Sequence, residues 1–514
     1  MNQAKQAVNP YLPSYEYVPD GEPHVFNGRV YVYGSHDRFG GNDFCLNDYV
    51  CWSARADDLA NWRYEGTSYR SVQDPLCAEG STAMRLFAPD VQRGGDGRYY
   101  LFYALEFCGR ISVAVSESPV GPFQFYDHVH YPDGTLLGAK EGDAFQYDPG
   151  IFVDDNGRVY LVSGFCPIPG INPKFAAMHL VTKSCQLIEL ADDMCTVREA
   201  PQIVLPQQAD AEGTEFAEHP FFEAPSLRKA NGRYYLIYSS TQNHELCYAV
   251  ADKPQGVYHY GGTIVSNGDI GLDGRTVPCN YTGTNHGSIV EINGQWYVFY
   301  HRQTNRTPYS RQGCAEKITL LPDGSIPQVR VTSCGLNDGP LKSGYSYPAG
   351  IACCLQTANG AGPYRAKTTI GEEHPYITQD GPDGDIFAQQ YVANLRDGSN
   401  AGYRSFLLHP GTNLTVTYRC TGDGTLEIAA KESGASALVF PVTASNTWQT
   451  AMGTLQLDGE QELWFTYRGT GALDLRGFKL GNMRNLAKVR STYLPNRKKE
   501  YLDLNELATS HSSG

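Results

Sequence analysis

The stretch PGIFVDDNGRVYLVSG, residues 149–164, decides how the rest of the chain is read. An apolar run enters Asn156-Gly157 and leaves as a second run rich in Val, Leu and Tyr. Asn-Gly between two such segments is a strong signal of a β-hairpin, because a type I′ turn sets both central residues at positive φ. The design recurs four more times, as PHVFNGRVYVYGS from Pro23, DVQRGGDGRYYLFYA from Asp90, PSLRKANGRYYLIYSS from Pro225 and GSIVEINGQWYVFYHR from Gly287. The turn glycines are Gly28, Gly97, Gly157, Gly232 and Gly294, spaced by 69, 60, 75 and 62 residues. A near-regular period of that size exceeds a solenoid repeat and suits a four-stranded sheet with long loops, the unit of a propeller blade. Five repeats predict an all-β chain that starts with a five-bladed β-propeller. A large β-sandwich gives its hairpins no reason to recur at one spacing.

Composition agrees with short strands and tight turns. Among 514 residues there are 54 Gly, 35 Tyr, 21 Phe and 30 Pro, and only 19% are charged. The length exceeds the roughly 250–300 residues at which single cores stop growing, so more than one domain is expected. The net charge is -14 and no basic block runs along the chain, which excludes nucleic acid as an expected partner. No apolar run approaches the roughly 18 residues of a membrane span, and the start, Met1 to Ala7, lacks the apolar core of an export signal. The sequence as given is expected to be soluble and cytoplasmic; a leader already removed would leave the same start. Fourteen Cys are scattered with no CxxC pair, which predicts reduced, buried thiols rather than disulfides or a zinc site.

In a propeller the first strand of each blade lines the central channel. Six to eight residues before each turn Asn or Asp stand Asp20, Asp90, Asp148, Glu223 and His286. Each blade thus presents one ionisable group at one end of the channel. A single Asp before a strand is ordinarily a turn residue, but convergence changes its chemistry. Crowded carboxylates repel, so one stays protonated while another is ionised, the pair that cleaves a glycosidic bond.

The set resembles glycoside hydrolase family 43, five-bladed propellers with an Asp base, a second Asp that tunes pKa and a Glu acid. The resemblance covers about residues 8 to 335. It implies an inverting mechanism in which Asp20, in VPDGEPHVFNGRVYVYGSHD, is the general base, Asp148, in QYDPGIFVDDNGRVYLVSG, the pKa modulator and Glu223, in FFEAPSLRKANGRYYLIYSS, the general acid. The family's commoner Asp-Pro is here Asp20-Gly21, followed by Glu22-Pro23, which leaves Glu22 as a competing base. FAPDVQ places Asp90 near the sugar. His286, in TNHGSIVEINGQWYVFY, matches a family histidine that ligates calcium or ordered waters; its alternative is hydrogen bonding to the carboxylates. A lone His is a poor calcium site, since calcium takes six to eight oxygens. The expectation is therefore no required cofactor, with one structural calcium at the propeller centre held through waters as the option. Arg302, in YHRQTNR, is a candidate for bridging to the acid or to a sugar hydroxyl, against plain structural pairing.

After LNDGPLKSGYSYPAG (336–350) the hairpin repeat stops. Short alternating strands such as NLTVTYRC, QELWFTYR and ALDLRGFKL follow, which predicts a β-sandwich of jelly-roll type. The expected domains are a propeller over 1–340, a sandwich over 341–482 and a polar tail over 483–514. QQYVANLRDGSNAGYRSFLL and the ending ELWFTYRGTGALDLRGFKL resemble family 6 carbohydrate-binding modules, with Tyr403 or Trp464 as candidate sugar-stacking residues and a bracing role as the alternative. The resemblance implies a carbohydrate partner and release of α-L-arabinofuranosyl or β-D-xylosyl units. Alternatives are an exo-β-galactofuranosidase, an endo-arabinanase or a non-catalytic sugar-binding propeller; a lectin has no reason to keep Asp20, Asp148 and Glu223 together.

Overall fold

The computed structural model describes residues 5–78, 84–168, 178, 180–364 and 370–481. Five antiparallel sheets follow one another along the chain, over residues 22–69, 90–128, 150–205, 221–266 and 289–318. Within each, strands pair in chain order, so every blade is a meander. The inner strands are Glu22–Phe26, Asp90–Arg93, Gly150–Val153, Phe221–Ala230 and Ile289–Ile292. A parallel bridge between Gly21 and Gly287 joins the first blade to the fifth. The architecture is a five-bladed propeller.

One blade departs from the four-stranded expectation. The fifth sheet has three strands, and the N-terminal segment lies along its outer strand, Gln312–Ile318. The Tyr11 amide donates to the Gly313 carbonyl at 3.2 Å, and the Asn9 side chain brackets Ala315, accepting its amide at 3.0 Å and donating to its carbonyl at 2.9 Å. The start of the chain is thus sewn onto the last blade.

The turns also differ from expectation. Asn27-Gly28, Asn231-Gly232 and Asn293-Gly294 have positive φ at both residues, as a type I′ turn demands. In the Asp96-Gly97 and Asn156-Gly157 loops only the glycine does. There the Asp96 and Asn156 side chains accept the amides of Arg98 and Arg158 at 3.0 and 2.9 Å, side-chain turns that close longer loops.

Apolar faces of neighbouring blades pack together. Tyr100, Phe102, Ile151, Leu161 and Ile188 fill the space between blades 2 and 3, and Tyr235, Ile237, Ile289, Val298 and Tyr300 that between blades 4 and 5. Each such side chain contributes roughly 1.5–3 kcal/mol when fully buried. All fourteen cysteines are unpaired and most are buried.

From Leu341 onward two six-stranded sheets form a β-sandwich. Thr412–Cys420 alternates buried and half-buried residues along its whole length, the mark of a strand with one face on a core. Tyr403 and Trp464 are 0% and 1% exposed, which removes them as sugar-stacking residues; the Tyr403 hydroxyl donates to the Ala349 carbonyl at 3.1 Å instead. The expected tail, 483–514, lies outside the described residues.

The turn geometry makes a direct prediction. Gly232 has φ +77° with open space around it, so Gly232→Ala meets only backbone strain and should lose about 1 kcal/mol in urea unfolding. Gly95, also in open space and without positive φ, should tolerate Ala with no loss; equal effects at both positions would contradict the turn assignment.

Candidate active site

The inner strands deliver their leading residues to the channel by irregular backbone. Asp20 and Asp148 have φ of +56° and +45°, and Ala224, next to Glu223, has +62°. Left-handed backbone at non-glycine residues is costly and persists where surrounding structure holds it. Register shifts flank Glu223 on both sides, between Phe221 and Glu223 and between Glu223 and Ser226, and such bulges re-aim a side chain. The groups converge on His286. Its Nδ1 lies 4.0 Å from Asp20 Oδ1 and 3.9 Å from Asp148 Oδ2, and its Nε2 3.8 Å from Glu22 Oε1.

Arg311 sets the charge state of Asp20. Its Nη1 donates to Asp20 Oδ1 at 2.7 Å, while its Nε and Nη2 fork onto Asp37 at 2.9 and 3.1 Å. Burial alone raises the Asp20 pKa, but the Arg311 guanidinium, then the His301 and His286 imidazoles, outweigh it and hold the carboxyl far below its usual range. His286 is itself buried, which disfavours its charge, yet Glu22, Asp148 and Asp20 push its pKa up to about 9. Glu223 goes the other way: burial first, then the Asp148 and Asp20 charges, raise its pKa well above normal. Burial also raises Asp148. One carboxyl is therefore ionised and another protonated near neutral pH.

The ion pairs and hydrogen bonds of the Asp20 carboxylate fall on Oδ1, so among the described residues Oδ2 is the oxygen without a protein partner. His301 fixes the backbone beneath it. Its Nε2 lies 2.6 Å from the Thr284 carbonyl, an acceptor only, so Nε2 carries the proton and Nδ1 accepts the Asp20 amide at 3.3 Å. Burial lowers the His301 pKa, in keeping with that neutral tautomer.

The expectations for Asp90 and Arg302 are corrected here, and Glu22 loses its claim as the competing base. Asp90 is fully buried, with Oδ1 2.6 Å from His24 Nε2 and Oδ2 accepting the Ile151 amide at 2.9 Å. It ties blade 2 to blades 1 and 3 and has no face for a sugar. Arg302 turns away from the channel and donates to the carbonyls of Gly350 and Ala352 in the sandwich. Successive strand residues point to opposite faces, so His301 faces the channel and Arg302 cannot. Glu22 is 1% exposed and engaged by Ser226 at 2.9 Å and by Arg228, a channel pairing rather than an open base. At His286 the side chains alone make no calcium shell, since Asp20 and Glu22 already pair with Arg311 and Arg228; a calcium there would need waters to complete its six to eight oxygens.

Sequence reasoning missed Arg311, Asp37 and His301. Their signal was indirect: a channel crowded with acids requires a buried cation, and SRQGCAE supplies one where blade five re-enters. It also missed the half-buried rings Phe87, Phe107 and Phe222, which pack on Tyr147 and Phe165 beside the acids, with centroids 5.4–6.0 Å apart.

Comparisons with known proteins place the chain in a family. A profile of Glycosyl hydrolases family 43 matches residues 19–326. A xylosidase/arabinosidase of Thermoclostridium stercorarium is 48% identical over 482 residues, covering 93% of this chain and 99% of its own. An arabinoxylan arabinofuranohydrolase of Paenibacillus polymyxa is 25% identical over 92% of this chain and 71% of its own. Among solved structures, a β-xylosidase/α-arabinofuranosidase from a compost microbial metagenome aligns at 26% identity and a TM-score of 0.49, over 63% of this chain and 98% of that one. The profile match ends before the sandwich.

The imidazolium at His286 predicts a pH signature. A folded pKa raised to about 9 contributes stability that is complete below the unfolded value of about 6.5 and lost as pH rises through about 9. In urea unfolding the wild type should exceed His286→Gln in acid and lose that margin across this window; a margin constant with pH would contradict the charge assignment.

Proposed function

The chain belongs to glycosyl hydrolase family 43, and on that footing we propose that it is an inverting glycoside hydrolase that removes α-L-arabinofuranosyl or β-D-xylosyl units from oligosaccharide or polysaccharide chains. The observation that carries this reading is the unequal surroundings of the two carboxyls: Asp20 accepts the Arg311 guanidinium at 2.7 Å, while among the described residues Glu223 has no ion-pair partner. The xylosidase/arabinosidase at 48% identity supports the choice of sugars.

In this mechanism the Glu223 carboxyl gives its proton to the glycosidic oxygen as the bond from that oxygen to the anomeric carbon breaks. Asp20 Oδ2 takes a proton from a water on the opposite face, and the water oxygen bonds to the anomeric carbon, inverting it. Glu223 regains a proton from solvent and Asp20 releases one, which closes the cycle. Asp148 acts through charge, keeping Glu223 protonated. The rings of Phe87, Phe107 and Phe222 offer apolar faces for the sugar. Inversion places the acid and base roughly 6.5–9.5 Å apart.

The chemistry distinguishes two variants. Glu223→Gln should slow hydrolysis of xylobiose or arabino-oligosaccharides by about 10²–10⁴, and much less with nitrophenyl glycosides, whose leaving group needs no proton. Asp20→Asn should abolish both. A panel of nitrophenyl α-L-arabinofuranoside, β-D-xyloside and β-D-galactofuranoside, followed by proton NMR of the first sugar released, tests the reading: release from the first two with inverted configuration is expected. Retained configuration would sink the mechanism, and no release from any of them, nor from arabinan or arabinoxylan, would leave a sugar-binding propeller.

The pH profile follows from the same groups. The base must be ionised and Asp20 is held low, so the acid limb of kcat/KM lies below the ordinary carboxylate range. The acid must be protonated and Glu223 is held high, so the alkaline limb lies above it. Arg311→Lys, which loses the fork, should move the acid limb to higher pH; an unmoved limb would show that Arg311 does not govern the base.

A further inference from the structure

The geometry points to a second site, independent of the sugar chemistry: a zinc-binding centre made by Asp127, His130 and Cys195 where the outer edges of blades 2 and 3 meet. The donor atoms of these three side chains all lie within 4.8 Å of one another. Asp127 belongs to the outer strand of blade 2, Gln124–His128, and His130 follows it. Cys195 sits in the turn after Cys185–Leu190 of blade 3.

Backbone holds the two blades in place at this point. The His130 amide donates to the Cys195 carbonyl at 3.0 Å and the Val197 amide to the His130 carbonyl at 2.8 Å. The turn carrying Cys195 is fixed from inside, with Asp193 Oδ1 accepting the amides of Cys195 and Thr196 at 3.0 and 2.9 Å. The backbone that carries His130 and Cys195 is therefore fixed from both blades.

The histidine is oriented as a ligand. His130 Nδ1 lies 2.8 Å from the Tyr131 carbonyl, which accepts but cannot donate, so Nδ1 carries the proton and Nε2 offers its lone pair. A backbone carbonyl on the far nitrogen is the usual way a metal-binding imidazole is held. Nε2 faces Asp127 Oδ2 at 3.7 Å, too far for a hydrogen bond. Zinc bonds of about 2.0–2.2 Å in tetrahedral geometry set a nitrogen and an oxygen ligand roughly 3.3–3.6 Å apart, so a small rotation of the half-exposed Asp127 completes the fit. Cys195 supplies the third ligand, losing its thiol proton to solvent as the zinc–sulfur bond forms, and a water fills the fourth position. Thiolate with imidazole and carboxylate favours zinc over calcium or magnesium.

In the proposed site the Asp127 Oδ1 accepts the His128 amide at 2.8 Å and Oδ2 is the oxygen turned to His130, whereas two other clusters of the same residue types are held by short side-chain hydrogen bonds between their own members. In His219–Glu245–Cys247, Glu245 takes His219 Nδ1 at 2.6 Å and the hydroxyls of Ser240 and Thr263 at 2.5 and 2.9 Å. In Glu22–His24–Asp90, His24 Nε2 is bound to Asp90 at 2.6 Å.

The test uses the full chain stripped with a chelator, then titrated with zinc by calorimetry and with cobalt(II) as a spectroscopic probe. One zinc per chain, a thiolate-to-cobalt charge-transfer band and a zinc-dependent rise in Tm are expected. Cys195→Ser should remove the band, and His130→Ala and the surface change Asp127→Asn should each weaken zinc by at least about tenfold, while Cys247→Ser leaves binding intact. Should Cys195→Ser fail to fold, Asp127→Asn and His130→Ala decide alone. No saturable binding, or stoichiometric binding that survives both of these, would overturn the site.

Discussion

The buried fork of Arg311 is the interaction on which the channel depends. Propeller geometry brings Asp20, Glu22, Asp148 and Glu223 together, and removing that many carboxylates from water is prohibitive unless cations follow them. Arg311 answers for Asp20 and Asp37, Arg228 for Glu22, and His286 becomes a cation among three acids. Glu223 receives no such partner and keeps its proton. The catalytic asymmetry is thus a residue of the electrostatic balance: the acid nearest a guanidinium ionises and the one left over does not.

Arg311 in turn is held from outside the channel. Asp37 lies at the start of a blade 1 loop whose Phe39 amide and Asn47 side chain donate to Asp383 of the sandwich at 2.8 and 3.2 Å. Phe44 of the same loop lies 4.8 Å from the guanidinium carbon. Elsewhere Arg302 grips the carbonyls of residues 350 and 352, and Arg404 of the sandwich pairs with Asp269 of the propeller. The sandwich is wired into the wall of the site, which gives its persistence in the chain a physical reason that requires no sugar on its own surface.

Much of this was legible in the sequence because hairpins announce themselves. Asn-Gly turns at a repeating spacing gave five blades, and a common offset pointed to Asp20, Asp148, Glu223 and His286. The same offset misled at Asp90, because an offset reports which blade position a residue occupies and not whether its carboxylate is consumed by neighbours. Arg302 and His301 show the limit at single-residue resolution: side chains alternate along a strand, and which parity faces the channel depends on register that only the folded sheet fixes. Arg311 and Asp37 lie outside the hairpins, so no repeat could find them; their roles come from contacts 274 and 291 residues apart in sequence. The three-stranded fifth blade was hidden for the same reason, since its outer edge is met by the other end of the chain.

The central claim is that Asp20 and Glu223 occupy opposite protonation states in the resting protein. A pH titration of carboxyl carbon-13 shifts, with the two residues assigned from Asp20→Asn and Glu223→Gln, measures those states directly. The account predicts that Asp20 remains ionised below the ordinary carboxylate range while Glu223 stays protonated through neutrality. Two carboxyls titrating together near about pH 4, as unperturbed acids do, would contradict it.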